Sequence, residues 1–265
     1  MSVTVSHVRA DLLAEQAALD EIVAGISDDA WLTPTPSPRW SVADQIGHLT
    51  YFDRTAAMAI SDPAAYAEHK AGAFQTFRSD GDALTLGEFR QLAPADQLAA
   101  WRAARAELEA AAATLTDDAR VDWYGPSMSA KSFLTARLME VWAHGQDVVD
   151  ALGVERPDTD RLAHIAQLGF ITRGWSYIVR GEAPPDAPVY VELTAPSGAR
   201  WSYGPPDAAD TIVGPAGDFC RVVTQRRHVA DTALVVTGDA ARDWMGKAQA
   251  FAGEATTGPV TSTGS

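Results

Sequence analysis

Trp40-Ser-Val-Ala-Asp-Gln-Ile-Gly-His48-Leu and Leu138-Met-Glu-Val-Trp-Ala-His144-Gly-Gln-Asp147 decide the reading of this chain. Each sets a histidine inside a helix-forming run rather than in a loop. In the second, Glu140 and His144 stand four apart, so on a helix they share one face and can meet one cation. Two donors make a weak signal, because a three-donor catalytic zinc site needs a further residue from another helix. Among His7, His48, His69, His144, His164 and His228, the strongest complement is His48, where Gly47 lets a neighbouring element approach closely. Bundle metal sites are assembled in this way, from side chains of facing helices. Spacing alone leaves two other readings open: a hydrogen-bonded interior His48, and a solvated Glu140–His144 pair. Asp147 continues their stripe together with Arg137. It is a candidate to orient His144, an exposed helix-surface Asp being the alternative.

Outward from these two runs, amphipathic helices fill the first half of the chain. Val8, Leu12, Leu19, Ile22, Val23 and Ile26 recur at helical steps and predict a helix over 3–26. Glu15 interrupts that stripe and is expected at an open end. Thr33-Pro-Thr-Pro-Ser-Pro38 lacks alternate amide donors and cannot be helical. Ser41, with Asp44 three residues on, opens a second helix to about Ile60 as N-cap and capping-box partner. The stretch 63–82 shows no firm period. A third helix runs from Leu86, or from Pro94, to Leu115. After the loop 123–129, a fourth is capped by Ser129 or Ser132 and stops at Gly153. The leading architecture for residues 1–155 is an antiparallel four-helix bundle.

Beyond Arg156 the texture turns to α+β. A helix is expected over 160–180, a hairpin from Val189–Thr194 and Arg200–Tyr203, and short strands at 211–213 and 232–236. The segment 218–225 is helical or extended, and 239–251 reads as a helix. The smaller domain therefore spans 156–254, and 255–265 is expected to be a flexible tail.

Composition narrows the function. The chain has 265 residues and a net charge of −14, with no basic run longer than Arg226-Arg227. That argues against nucleic acid and anionic membrane surfaces as partners. No apolar run approaches the roughly 20 residues that span a bilayer. Met1–His7 lacks the form of a signal peptide, so a cytoplasmic protein, monomer or homodimer, is expected. Cys220 is the single cysteine, which excludes an intrachain disulfide and a thiolate-only metal site.

The Trp40–Leu49 run resembles the W-[ST]-x₆-H-[LI] motif of DinB-like metal-dependent proteins. Leu138–Asp147 looks like the matching helix-4 segment of their mycothiol-dependent maleylpyruvate isomerase branch, in an uncharacterised subgroup. Residues 186–252 are similar to the sterol-carrier-like α+β domain appended there. The resemblance implies a four-helix bundle holding a divalent metal, most often zinc, through His48, Glu140 and His144. It also implies a mycothiol-like co-substrate and a small electrophilic substrate to be isomerised or conjugated. With one cysteine outside the motif, the reactive thiol has to be external. Zinc hydrolysis by metal-bound water and a non-catalytic metal- or lipid-binding module are the alternatives. Arg78, Arg90, Arg137 and Arg227 are candidate anion-holding residues, with Arg226-Arg227-His228 a candidate contact for an anionic thiol cofactor. Tyr51, Trp123, Tyr124 and Trp142 are candidate pocket aromatics.

Overall fold

The structure, a computed structural model, describes residues 3–125 and 127–262, apart from the side chains of residues 74, 75 and 77–79. The chain divides into two compact units, Met1–Glu155 and Arg156–Ser265.

The first unit is helical. Helix α1 (Val5–Ala24) is capped by Thr4, and the short α2 (Asp28–Trp31) follows. Helix α3 (Val42–Ser61) opens on the expected box, in which the Ser41 hydroxyl accepts from the Asp44 amide while the Asp44 carboxylate accepts from the Ser41 amide. The stretch without a period is α4 (Pro63–Leu86), started by Asp62 and Pro63 and broken at Asp80 (φ −157°, ψ 87°). That break explains why no single helical repeat runs through it. Helix α5 (Pro94–Ala112) follows, then a two-stranded ribbon of β1 (Arg120–Val121) and β2 (Met128–Ser129) inside the expected loop. Helix α6 (Ala130–Leu152) has Ser129 as N-cap and Gly153 in the left-handed region (φ 63°) as C-cap, a conformation glycine adopts without a Cβ penalty.

Helix α3 packs on α4, α5 and α6, and α1 packs on α5 and α6. Val8, Leu12, Leu19, Ile46, Leu49, Trp101, Leu108, Phe133, Leu134 and Leu138 are all buried there. Gly47 is where Phe89 comes close, since a Cβ at that position would stand 3.0 Å from the Phe89 Cβ. Glu15 departs from expectation: it is buried rather than at an open end, and beside it Gln16 donates to Asp53 at 3.2 Å.

In the second unit the expected helix over 160–180 is two, α7 (Leu162–Ile171) and α8 (Arg173–Ile178), separated at Thr172. The Thr172 hydroxyl donates to the Leu168 carbonyl at 2.7 Å, a back-bond that bends helices. Strands β3 (Val189–Thr194), β4 (Arg200–Tyr203), β5 (Asp210–Pro215) and β6 (Val235–Thr237) form one sheet in the order β4-β3-β5-β6. Here β3 and β4 are the expected antiparallel hairpin, and β5 lies parallel to β3, with Val191 opposite Ile212. The β4–β5 connection passes Gly204 (φ 83°), where a Cβ would collide with the Val189 carbonyl. Helices α9 (Ala216–Val223) and α10 (Asp239–Lys247) complete the unit, with Phe219 and Trp244 fully buried. The tail also departs from expectation. Thr256 bonds Gln225 and Gln249, and Ser262 bonds Asp231, so residues 256–262 are tied down.

Candidate metal centre

The helical period of α6 sets Glu140 and His144 on one face, and the capping box at Ser41 fixes the register of α3 that carries His48. The three meet. One donor atom from each of His48, Glu140 and His144 lies within 4.8 Å of the others, and among the described residues this is the group of metal-ligating side chains that so converges. Glu140 Oε2 stands 3.1 Å from His144 Nε2 and 3.7 Å from His48 Nε2. Side-chain exposures of 16% for His48, 25% for Glu140 and 11% for His144 leave the cluster reachable by a small outside ligand.

The electrostatics suit a cation. Burial, reinforced by His144 nearby, lowers His48 to about 4, so near neutral pH it presents an uncharged ring. Burial alone raises Glu140, but hydrogen bonds from the two imidazoles outweigh it and hold the carboxyl well below its ordinary range. The His48 Nδ1 is buried without a hydrogen-bond partner. The ring's Nε2 is the nitrogen that faces Glu140 and the cluster. His144 Nδ1 meets the Gln45 amide oxygen at 2.6 Å. With Nδ1 donating there, Nε2 is the nitrogen turned to Glu140 Oε2, where it either carries a second proton or offers its lone pair to a cation beside the carboxylate. On the chemistry of the donor set, the site fits a divalent metal.

Around it, Trp40 lies 5.0 Å from the His48 ring and 5.9 Å from the His144 ring, and Phe52 lies 4.6 Å from His48. Phe52 also touches Trp123 and Tyr124. His69 Nε2 meets the hydroxyls of Tyr51 at 3.1 Å and Tyr124 at 3.2 Å. Burial raises the pKa of both tyrosines, so they stay protonated. Three of the four candidate aromatics thus join one wall with Phe52. Trp142 is buried.

Asp147 is buried, with Oδ2 at 4.0 Å from His144 Nδ1, and it accepts from the Ser37 hydroxyl at 3.0 Å. Gln45, not Asp147, bonds the ring. Arg137 is buried against Asp53 at 2.9 Å, and Arg90 pairs with Asp44 at 2.7 Å. The Arg78 side chain lies outside the described residues. Arg227 belongs to the second unit, where Nη1 donates to the Arg226 carbonyl at 2.7 Å. With Gln225, His228, Met245 and Val260 it lines a cavity of about 340 Å³. Sequence reading passed over Gln45, Trp40 and Phe52 as site residues. Positions three before and four after His48 on one helix face were the available signal for Gln45 and Phe52.

Residues 185–237 match the model of a family described as wyosine base formation, the stretch expected to be sterol-carrier-like. Two uncharacterized proteins from two strains of Mycobacterium tuberculosis are each 47% identical over 245 residues, 92% of this chain and 95% of theirs. The crystal structure of the mycothiol-dependent maleylpyruvate isomerase is alike in fold (TM-score 0.54, 16% identity, 84% of this chain and 90% of that one), and so is its histidine-to-alanine variant (TM-score 0.55, 15% identity). No helix among the described residues is long and apolar enough to cross a membrane. Residues 12–149, more than half of the chain, match the model of the mycothiol maleylpyruvate isomerase N-terminal domain, and the chain belongs to that family.

Proposed function

We propose that this protein is a metal-dependent enzyme that uses an external low-molecular-weight thiol of the mycothiol kind to isomerise or conjugate a small electrophile. His48, Glu140 and His144 would hold the ion, zinc by the chemistry of two imidazoles and a carboxylate. We read the first unit as the antiparallel four-helix bundle of DinB-like proteins, built from α1, α3, α5 and α6. The observation that carries the reading is the convergence of three donors from α3 and α6 within 4.8 Å. Three protein donors leave a position for an outside ligand, as catalytic sites do.

Bound there, a divalent cation supplies the Lewis acidity that ionises a thiol at neutral pH. The chain's own residues do the rest. Gln45 orients His144, while Trp40 and Phe52 shield the imidazoles from water. Tyr51 and Tyr124, held protonated, present hydroxyl hydrogens beside that aromatic wall. Asp147 acts from behind His144. Cys220 is not the nucleophile: it is fully buried in the second unit, and burial, with Asp158 adding to it, pushes its thiol well above the ordinary value. The thiol is therefore external, and the isomerase of like fold is itself mycothiol-dependent. Arg227 is the candidate contact for an anionic group of that thiol.

The test is metal analysis of the purified protein beside His48→Ala, followed by turnover of an electrophile panel with and without mycothiol. The expected result is about one equivalent of metal in the wild type, its loss in the variant, and turnover that requires thiol. Full occupancy in His48→Ala refutes the site. Turnover without thiol that Glu140→Ala abolishes replaces the transfer reading with hydrolysis.

A further inference from the structure

The proline-rich segment 33–38 leads into the start of α3. It is clamped to the start of α3 by a β-bridge between Pro34 and Ser41, by the Val42 amide donating to the Thr33 carbonyl at 3.0 Å, and by the Thr35 amide donating to the Trp40 carbonyl at 2.8 Å. Hydroxyl residues alternate with prolines, and two of those hydroxyls reach the metal cluster's surroundings. The Ser37 hydroxyl donates to Asp147, as described above. The Thr35 hydroxyl donates to the Trp40 carbonyl at 2.9 Å, which turns its lone pairs toward Gln45. Gln45 Nε2 donates to Thr35 Oγ1 at 2.9 Å, so the amide oxygen faces His144 Nδ1.

We infer that Thr35 and Gln45 are positioning residues, a two-step relay from the proline-rich loop that keeps His144 Nδ1 a donor and so turns Nε2 to the metal. The inference rests on the metal reading of the cluster. Each donor in the relay has one acceptor, so the direction of the chain is set at the Trp40 carbonyl, which offers no proton. Gln45 is fully buried, which leaves water no part in turning the amide over. Proline at 34, 36 and 38 removes competing amide donors and fixes φ, holding Thr35 and Ser37 in place at little entropic cost. Acceptors behind a ligating imidazole govern both its orientation and its basicity, and losing one typically weakens metal binding about 10–100-fold.

The test measures zinc affinity by competition with a chromogenic chelator for the wild type, Gln45→Leu, Thr35→Val and Thr35→Ser. Long-range ¹H–¹⁵N spectra of the zinc-loaded wild type read which His144 nitrogen keeps its proton. The expected result is Nδ1–H for His144, zinc binding weakened about 10–100-fold in Gln45→Leu, a smaller loss in Thr35→Val, and recovery in Thr35→Ser. The Thr35 pair carries the test if Gln45→Leu does not fold. An Nε2–H tautomer, or unchanged affinity in Gln45→Leu or, where that variant does not fold, in Thr35→Val, overturns the relay while leaving the metal site standing. A wild type that binds no zinc, or binds it as well in His48→Ala, overturns the metal reading and the relay with it.

Discussion

Arg137 shows how far a single side chain escapes sequence reasoning. The family resemblance made it a candidate for holding an anionic substrate, yet it is buried and paired with Asp53, which is fully buried and also accepts from Gln16. Burial raises the Asp53 pKa above the ordinary 3.8, with Arg137 the main opposing influence. Removing one partner of such a pair strands a buried charge, so Arg137→Met is expected to lose about 3–5 kcal/mol in urea denaturation near neutral pH. The additional replacement Asp53→Leu is expected to restore most of that, and a double variant no better than the single one would refute this account. The pH dependence has a definite sign. A carboxyl whose folded pKa is raised costs nothing where it is protonated in both states. The loss in Arg137→Met is therefore smallest in acid and grows as pH rises above 3.8 through the raised folded value. Glu140 and His144 were legible as a pair because helical period sets residues four apart on one face, whereas His48, on another helix, joined them only through the family resemblance of the Trp40–Leu49 run. Gln45 and Phe52 sit on the same face of α3 as His48, but their partners come from other elements, which no spacing within one helix reveals.

Helix ends were read more securely than helix continuity. Ser41, Ser129 and Gly153 act through their own backbone neighbours, so their roles survive folding unchanged. The break at Asp80 within α4 and the division of α7 from α8 at Thr172 depend on packing and back-bonding; Gly81 and Gly174 stand close by, but a glycine inside a helical run does not by itself end it. How helices are tied together is likewise tertiary. Asp20 of α1 accepts from Arg102 at 2.6 Å and Arg105 at 2.5 Å, both on α5. The hydrogen bond from Arg102, with both guanidiniums adding attraction, lowers the Asp20 pKa below 3.8. Being partly solvated, the tie is worth at most about 1 kcal/mol. Asp20→Asn is expected to cost that much at neutral pH. Because a depressed pKa gives stability present above the unfolded value, the difference should vanish as pH falls below 3.8 through the lowered folded value. Urea titrations of both proteins across that range check it, and a difference that persists in acid would count against the ion pair.

All three proposed ligands lie in the unit Met1–Glu155, and the external-thiol argument rests on Cys220 in the unit Arg156–Ser265. A ligand that binds only the folded state stabilises the part that holds it, by about 2.7 kcal/mol at a hundredfold excess over Kd. Stripping metal with a chelator should therefore lower the calorimetric transition of the first unit by about 5–10 °C. The transition of the second unit should stay in place, and no shift in the first would place the metal elsewhere. The sequence by itself determined the helical first half, the α+β second half, the hairpin, the caps and the stripe bearing Glu140 and His144, because each is written in local period and turn chemistry. Folding in three dimensions brought His48 to that stripe, buried Glu15 and Arg137, tied down the tail, and set Gln45 rather than Asp147 against His144. Those outcomes depend on which helix faces meet and on where each buried polar atom finds its partner, and such partners stand tens of residues apart in the chain.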